Sequence, residues 1–244
     1  MRRYGPAVLL LLVGGALLRI SLLSAVYMRY VQAGLRPYLV ASGVLLVLLA
    51  LVGLFRTARA SALPANGGAH VHQHGHTPSA AGPRLAWLLT LPALALLLFP
   101  PPALGSYSAA REDAQDAARG VGTFPTLPAG DPVELSVAAF TSRAVYDSGH
   151  SLRDRTVRLT GFVTRGEGDT WYVTRLLVSC CAADATTSKV EVRGVQAPRT
   201  DTWVTVTGTW RPKGALGSSA AWPPLLNGAT VKHVAQPPDP YEKR

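Results

Sequence analysis

Nearly all the long apolar runs of this chain lie before Gly105, and short runs rich in Val and Thr replace them afterwards. Three early runs stand out: Gly5 to Val26, Pro37 to Phe55 and Leu85 to Leu104. At about 1.5 Å of rise per residue, each is long enough to cross a hydrocarbon layer of about 30 Å. The first carries a single charge, Arg19, toward one end, where a long side chain can reach the interface. Arg2 and Arg3 ahead of it also suit a signal peptide, but the run is longer than an ordinary h-region and a second apolar segment follows. The second run contains no charge and stops against Arg56 and Arg59. In the third, Trp87 suits an interfacial aromatic, Pro92 a kink, and Pro100 to Pro102 an abrupt helix end. The pattern predicts a membrane α-helical region over residues 1–105, with three spans at 5–26, 37–55 and 85–104 and a loop at 56–84.

A polar linker over 106–130 leads into a second pattern, one of period two. Stretches such as TVRLTGFVT and WVTVTGTW alternate apolar and polar positions, as strands with one wet face do. Strands are predicted at 133–140, 156–164, 170–178, 189–192, 202–209 and 230–234, separated by turn residues such as Gly166, Gly168 and Asp169. Short strands at this spacing predict a mainly-β domain over 131–236, a small OB-like barrel, with 237–244 as a tail. Trp171, Tyr172, Trp203, Trp210 and Trp222 read as its core and rim packing.

Charge changes the picture in one respect. The formal net charge is +10, which would suit nucleic acid if the cations were clustered. They are scattered, only four are lysine, and no basic run carries interleaved aromatics, so a nucleic-acid partner is excluded. Arginines flanking the spans instead set orientation. Arg2, Arg3, Arg56, Arg59 and Arg84 fall on one side, against Arg29 and Arg36 on the other. The richer side is the cytoplasmic one. A multi-pass protein of the cell membrane is expected, its N-terminus and 56–84 loop cytoplasmic and its C-terminal domain extracytoplasmic.

Two segments carry candidate chemistry. In the 56–84 loop His70, His72, His74 and His76 alternate in a Gly- and Ala-rich stretch, where imidazoles can converge on zinc, copper or nickel or simply be solvated in a polar linker. In the β domain Cys180 and Cys181 adjoin, with Asp184 close behind. Adjacent cysteines cannot staple a loop. They fit three roles: metal ligands together with Asp184, and with His150 or His233 if folding brings one in, a strained vicinal disulfide for redox chemistry, or small core residues. The nucleophile-elbow, HExxH and P-loop motifs are absent, and no C-x-x-C accompanies the thiols, so an enzyme is not expected.

The His-rich loop, the LPALALLLFPPPALGS span, the motif R-x-x-V-x-C-C-A-A-D-A at Arg175 to Ala185, and the W-V-x-V-x-G strand at Trp203 to Gly208 together resemble the YcgQ-like family of membrane permease subunits. The resemblance runs from Leu17 to about Val234, and the double cysteine is its most specific part. It implies a subunit that works beside a larger polytopic permease in a two-component membrane complex. Some relatives adjoin zinc-responsive genes, which implies zinc as the metal for the histidines and for Cys180, Cys181 and Asp184. A membrane-anchored thiol-redox protein using Cys180 and Cys181, and an envelope scaffold or sensor, are the alternatives.

Overall fold

The computed structural model describes residues 5–62, 98–99, 102–110 and 121–243. The chain divides into two compact units, one of Met1–Tyr27 with Ala33–Pro102, the other of Met28–Gln32 with Ala103–Arg244.

The first unit is built on two helices, α1 (Gly5–Leu23) and α2 (Arg36–Ala62). Both are long and apolar enough to cross a membrane. They run antiparallel: Ala7 lies by Gly53, Gly14 by Gly43, and the Arg36 guanidinium donates to Ser21 O at 2.9 Å. A Cβ at Gly14 would sit 2.9 Å from Gly43 O, and one at Gly43 would sit 2.9 Å from Leu18 Cγ. Only glycine lets the two backbones come this close, the small-residue packing by which helices associate in lipid. Leu12, Leu22, Leu23, Leu45, Leu48 and Phe55 face outward, the reverse of a water-soluble helix pair and the pattern lipid favours. The spans expected at 5–26 and 37–55 therefore correspond to these helices. The third, at 85–104, falls mostly outside the described residues, as do His70, His72, His74 and His76.

The second unit carries a mixed seven-stranded sheet: β1 (Val133–Glu134), β2 (Thr156–Arg165), β3 (Trp171–Val178), β4 (Thr186–Arg193), β5 (Trp203–Arg211), β6 (Leu225–His233) and β7 (Tyr241–Lys243). The order is β1-β2-β5-β6-β4-β3-β7, and β2 pairs with β3 as well. The pairings β2–β5–β6–β4–β3–β2 thus form a closed circuit, parallel only at β4–β6. β1 and β7 add to it by parallel pairing. The circuit closes because β2 changes partner: Phe162 is in register with both Trp203 of β5 and Thr174 of β3. Beside it, a Cβ on Gly161 would stand only 2.5 Å from Thr174 O, so the crossing strand needs a glycine there.

Alternation sorts the side chains of β2 and β5. Val157, Leu159, Val163, Val204 and Val206 enter the main core with Trp171, Val173, Val190, Val192 and Leu226. Phe162 faces the other way, into a second cluster with Leu176, Val178 and Tyr241. Leu104 and Ala109 pack there too, from a segment that includes the short helix α3 (Ser106–Ala109).

Residues 133–140 are not one strand. Pairing ends at Glu134, and α4 (Val137–Tyr146) follows, with Ser136 Oγ accepting from Ala139 N at 3.0 Å as its cap. Its buried Val137, Phe140, Thr141, Ala144 and Val145 fall at helical spacing, which overrides the β propensity of Val and Phe. The stretch 237–244, read as a tail, carries β7. There Glu242 accepts from Val137 N at 2.8 Å and Ala138 N at 2.9 Å, and its carboxylate lies 3.7 Å from the Arg175 guanidinium. Burial dominates this ion pair, pushing the Glu242 carboxyl up and the Arg175 guanidinium down against their mutual attraction.

Candidate metal and redox site

β3 ends at Val178, and the chain turns into β4 through a short 3-10 turn at Ala182–Asp184. Asp184 shapes this connection. Its Oδ1 accepts from Ser179 N at 2.9 Å, its Oδ2 from Cys180 N at 2.8 Å, and its own N–H donates to Cys181 O at 3.1 Å. The loop therefore folds back on the strand end, and Cys180 and Cys181 stand at its crest as free thiols with their sulfurs 3.5 Å apart. Cys180 is exposed and Cys181 half-buried, so neither is a core residue.

A second segment touches the loop. Val31, in the connection between α1 and α2, forms an antiparallel bridge with Cys181. Gln32 N donates to Cys180 O at 3.0 Å and Ala182 N donates to Tyr30 O at 2.8 Å. Nearby, Tyr241 Oη donates to Arg29 O at 2.7 Å and accepts from Leu104 N at 3.2 Å. These backbone partners were not legible in the sequence. A two-residue pairing between segments 150 residues apart in the chain leaves no periodic trace.

This cysteine loop lies inside a segment of known type. Residues 139–242 match the DUF1980 C-terminal domain. The match begins within α4 and ends within β7, so it takes in Cys180, Cys181, Asp184 and Glu242. No curated protein matches the chain.

Within the DUF1980 C-terminal domain the proposed partners of the thiols lie elsewhere. His150 stacks on Trp210, with ring centroids 6.1 Å apart, and His233 is exposed near the end of β6. Among the described residues no group of three or more His, Cys, Asp and Glu side chains could hold a metal ion. Arg175 is also turned away from the thiols, its Nη2 donating to Tyr241 O at 3.1 Å and its guanidinium stacked 4.9 Å from the Trp203 ring.

What the domain offers is a pair of sulfurs. Two thiolates on one tetrahedral zinc, with Zn–S of about 2.3 Å, would stand about 3.8 Å apart, close to the spacing here. Asp184 is committed to the loop backbone. A hydrogen bond with the Asp184 carboxylate, then one with Cys181, pushes the Cys180 thiol up to about 11. The Ser179 N–H and the Cys180 thiol hold Asp184 below the usual carboxylate range. At neutral pH the loop thus pairs a charged carboxylate with a protonated thiol, a poor resting nucleophile that a bound cation can still deprotonate.

Proposed function

We propose that this chain is an integral membrane subunit of a two-component permease, acting beside a polytopic partner, and that its DUF1980 C-terminal domain captures a thiophilic transition metal, zinc foremost, on Cys180 and Cys181. The observation that carries the reading is the exposed thiol pair, 3.5 Å apart on a loop whose backbone is fixed by Asp184. With two protein sulfurs, and with the Asp184 carboxylate already engaged by the loop amides, such a site leaves coordination positions for water or a partner's groups, which suits a cargo that must leave again.

The membrane assignment draws support from α1 and α2 and from connectivity. The α1–α2 connection and the chain from Ala103 belong to one unit, whereas α2 runs away from that connection. A hairpin that spans the bilayer therefore requires one more crossing between Ala62 and Ala103, which supports the third span at 85–104. Arg29 and Arg36 flank the connection while Arg56 and Arg59 sit at the other end of α2, favouring an extracytoplasmic β domain. His70, His72, His74 and His76 then form a separate metal clasp on the cytoplasmic side. The closed circuit of five strands supports an OB-like barrel for the β domain. A thiol oxidoreductase is the weaker reading, because Cys180 is held protonated.

The test is purification of the tagged protein in mild detergent, with its co-purifying membrane proteins identified and its metal content measured. A stoichiometric polytopic partner, and zinc lost from Cys180→Ser/Cys181→Ser, are the expected results. A solitary, metal-free protein would overturn the proposal.

A further inference from the structure

Within the connection between α1 and α2, the five residues Met28–Gln32 fold with the β unit rather than with the helices on either side. They do so by pairing with the cysteine dipeptide itself. The carbonyl of Cys180 accepts from Gln32 N at 3.0 Å, and the amide following Cys181, that of Ala182, donates to Tyr30 O at 2.8 Å. The Gln32 side chain reaches Val178 O at 3.5 Å, and Tyr241 holds the Arg29 carbonyl. On its other flank the dipeptide is held by Asp184 through the amides of Ser179 and Cys180. Neighbouring residues of a regular strand send their side chains to opposite faces. Here the two sulfurs are 3.5 Å apart, a conformation kept by the two sets of hydrogen bonds.

We propose that the α1–α2 connection is the missing half of the dithiol site: seating of Tyr30–Gln32 on Cys180–Ala182 and binding of a thiophilic divalent cation by Cys180 and Cys181 are coupled, each strengthening the other. The proposal rests on the metal reading above and adds its regulation. With the connection released, the dipeptide is free to turn its thiols apart, and chelation must re-order it. With the connection seated, that ordering is already done, the usual source of affinity in a preorganised site. As the ion binds, both thiols release their protons to solvent and no oxidation state changes. Coupling between two equilibria is reciprocal. Metal occupancy therefore fastens the connection between two membrane helices, giving the permease a direct report of whether the outer site is filled.

The test uses the full chain in detergent, with cobalt(II) as a zinc surrogate read through its thiolate charge-transfer absorption. Gln32→Pro removes the main-chain donor to Cys180, and Gln32→Ala removes only the side chain. Cobalt affinity is expected to fall about tenfold or more in Gln32→Pro and to change little in Gln32→Ala. In the unaltered chain, zinc should slow amide hydrogen exchange in peptides covering residues 28–32 and 180–184, and Cys180→Ser/Cys181→Ser should abolish that protection. This second measurement decides the matter if Gln32→Pro does not fold. Equal cobalt affinity in a folded Gln32→Pro protein, or thiolate–cobalt absorption without zinc protection of residues 28–32, overturns the coupling and leaves the metal site standing. Absence of thiolate–cobalt absorption in the unaltered chain overturns the metal reading and the coupling with it.

Discussion

At the scale of single residues, two carboxylates are held ionised by the loop hydrogen bonds they accept, with different consequences. Asp184 stabilises the protonated form of its neighbour Cys180. Asp184→Asn should therefore lower the Cys180 value from about 11 and speed alkylation of the thiol near pH 8, read as the rate of maleimide or iodoacetamide labelling against pH. A slower or unchanged rate would show that Asp184 does not control the thiol. Asp147, buried at the end of α4, accepts from Gly149 N at 2.9 Å and Ser151 N at 2.8 Å. Burial alone would raise its carboxyl, but the Ser151 and Gly149 hydrogen bonds and the nearby Arg143 outweigh it and hold the carboxyl below its ordinary value. The folded state thus binds the proton less readily than the unfolded one, so this contribution is present above the ordinary carboxylate range and is lost as pH falls through the folded value. Urea midpoints followed by tryptophan fluorescence should decline below about pH 4, and Asp147→Ala should flatten that decline while costing about 1–3 kcal/mol at neutral pH. Of these two residues Asp184 could be picked out in the sequence because it follows a double cysteine. Asp147 could not, since an Asp that folds back onto the amides beyond it looks like any loop acid until the loop is seen.

At the scale of elements, the partner change of β2 depends on Gly161. Gly161→Ala would push a methyl against Thr174 O and should destabilise the β unit by about 1–3 kcal/mol, measurable as a lowered urea midpoint. An unchanged midpoint would mean that β2 and β3 separate at this point without cost. β7 looks dispensable by length, yet it carries Glu242 to the first amides of α4 and to Arg175. Glu242→Ala leaves Arg175 buried without its counter-ion and should cost about 3–5 kcal/mol, whereas Glu242→Gln keeps an acceptor for α4 and should cost less. Equal losses would indicate that the charge of Glu242 contributes nothing beyond its hydrogen bonds. β2 and β5 were readable because apolar and polar positions alternate along much of each, and β3 because its eight residues are nearly all apolar or β-branched. β7, only three residues long, offers no period to read, and α4 hid behind the β-branched and aromatic residues on its buried face.

At the scale of the whole chain, the proposed orientation makes a direct prediction. In intact cells a membrane-impermeant maleimide should label Cys180, and a cysteine introduced at His72 should be labelled only after permeabilisation; the reverse pattern would invert the topology. The composition shift near Gly105 and the length of the early apolar runs already determined that helices long and apolar enough to cross a membrane precede a β-rich domain, because hydrophobic length and side-chain period are local properties. The sequence also marked the cysteine pair and the carboxylate behind it. Only the tertiary structure decided that β2 closes a circuit through β5 and β3, that the last residues return to cap α4, and that the connection between α1 and α2 pairs with the cysteine loop. The first and last depend on backbone hydrogen bonds between segments far apart in the chain, and every non-proline residue carries the same donor and acceptor, so nothing in the order of side chains singles out the partners. The cap rests on the Glu242 carboxylate, and a single acid does not show which amides it will meet.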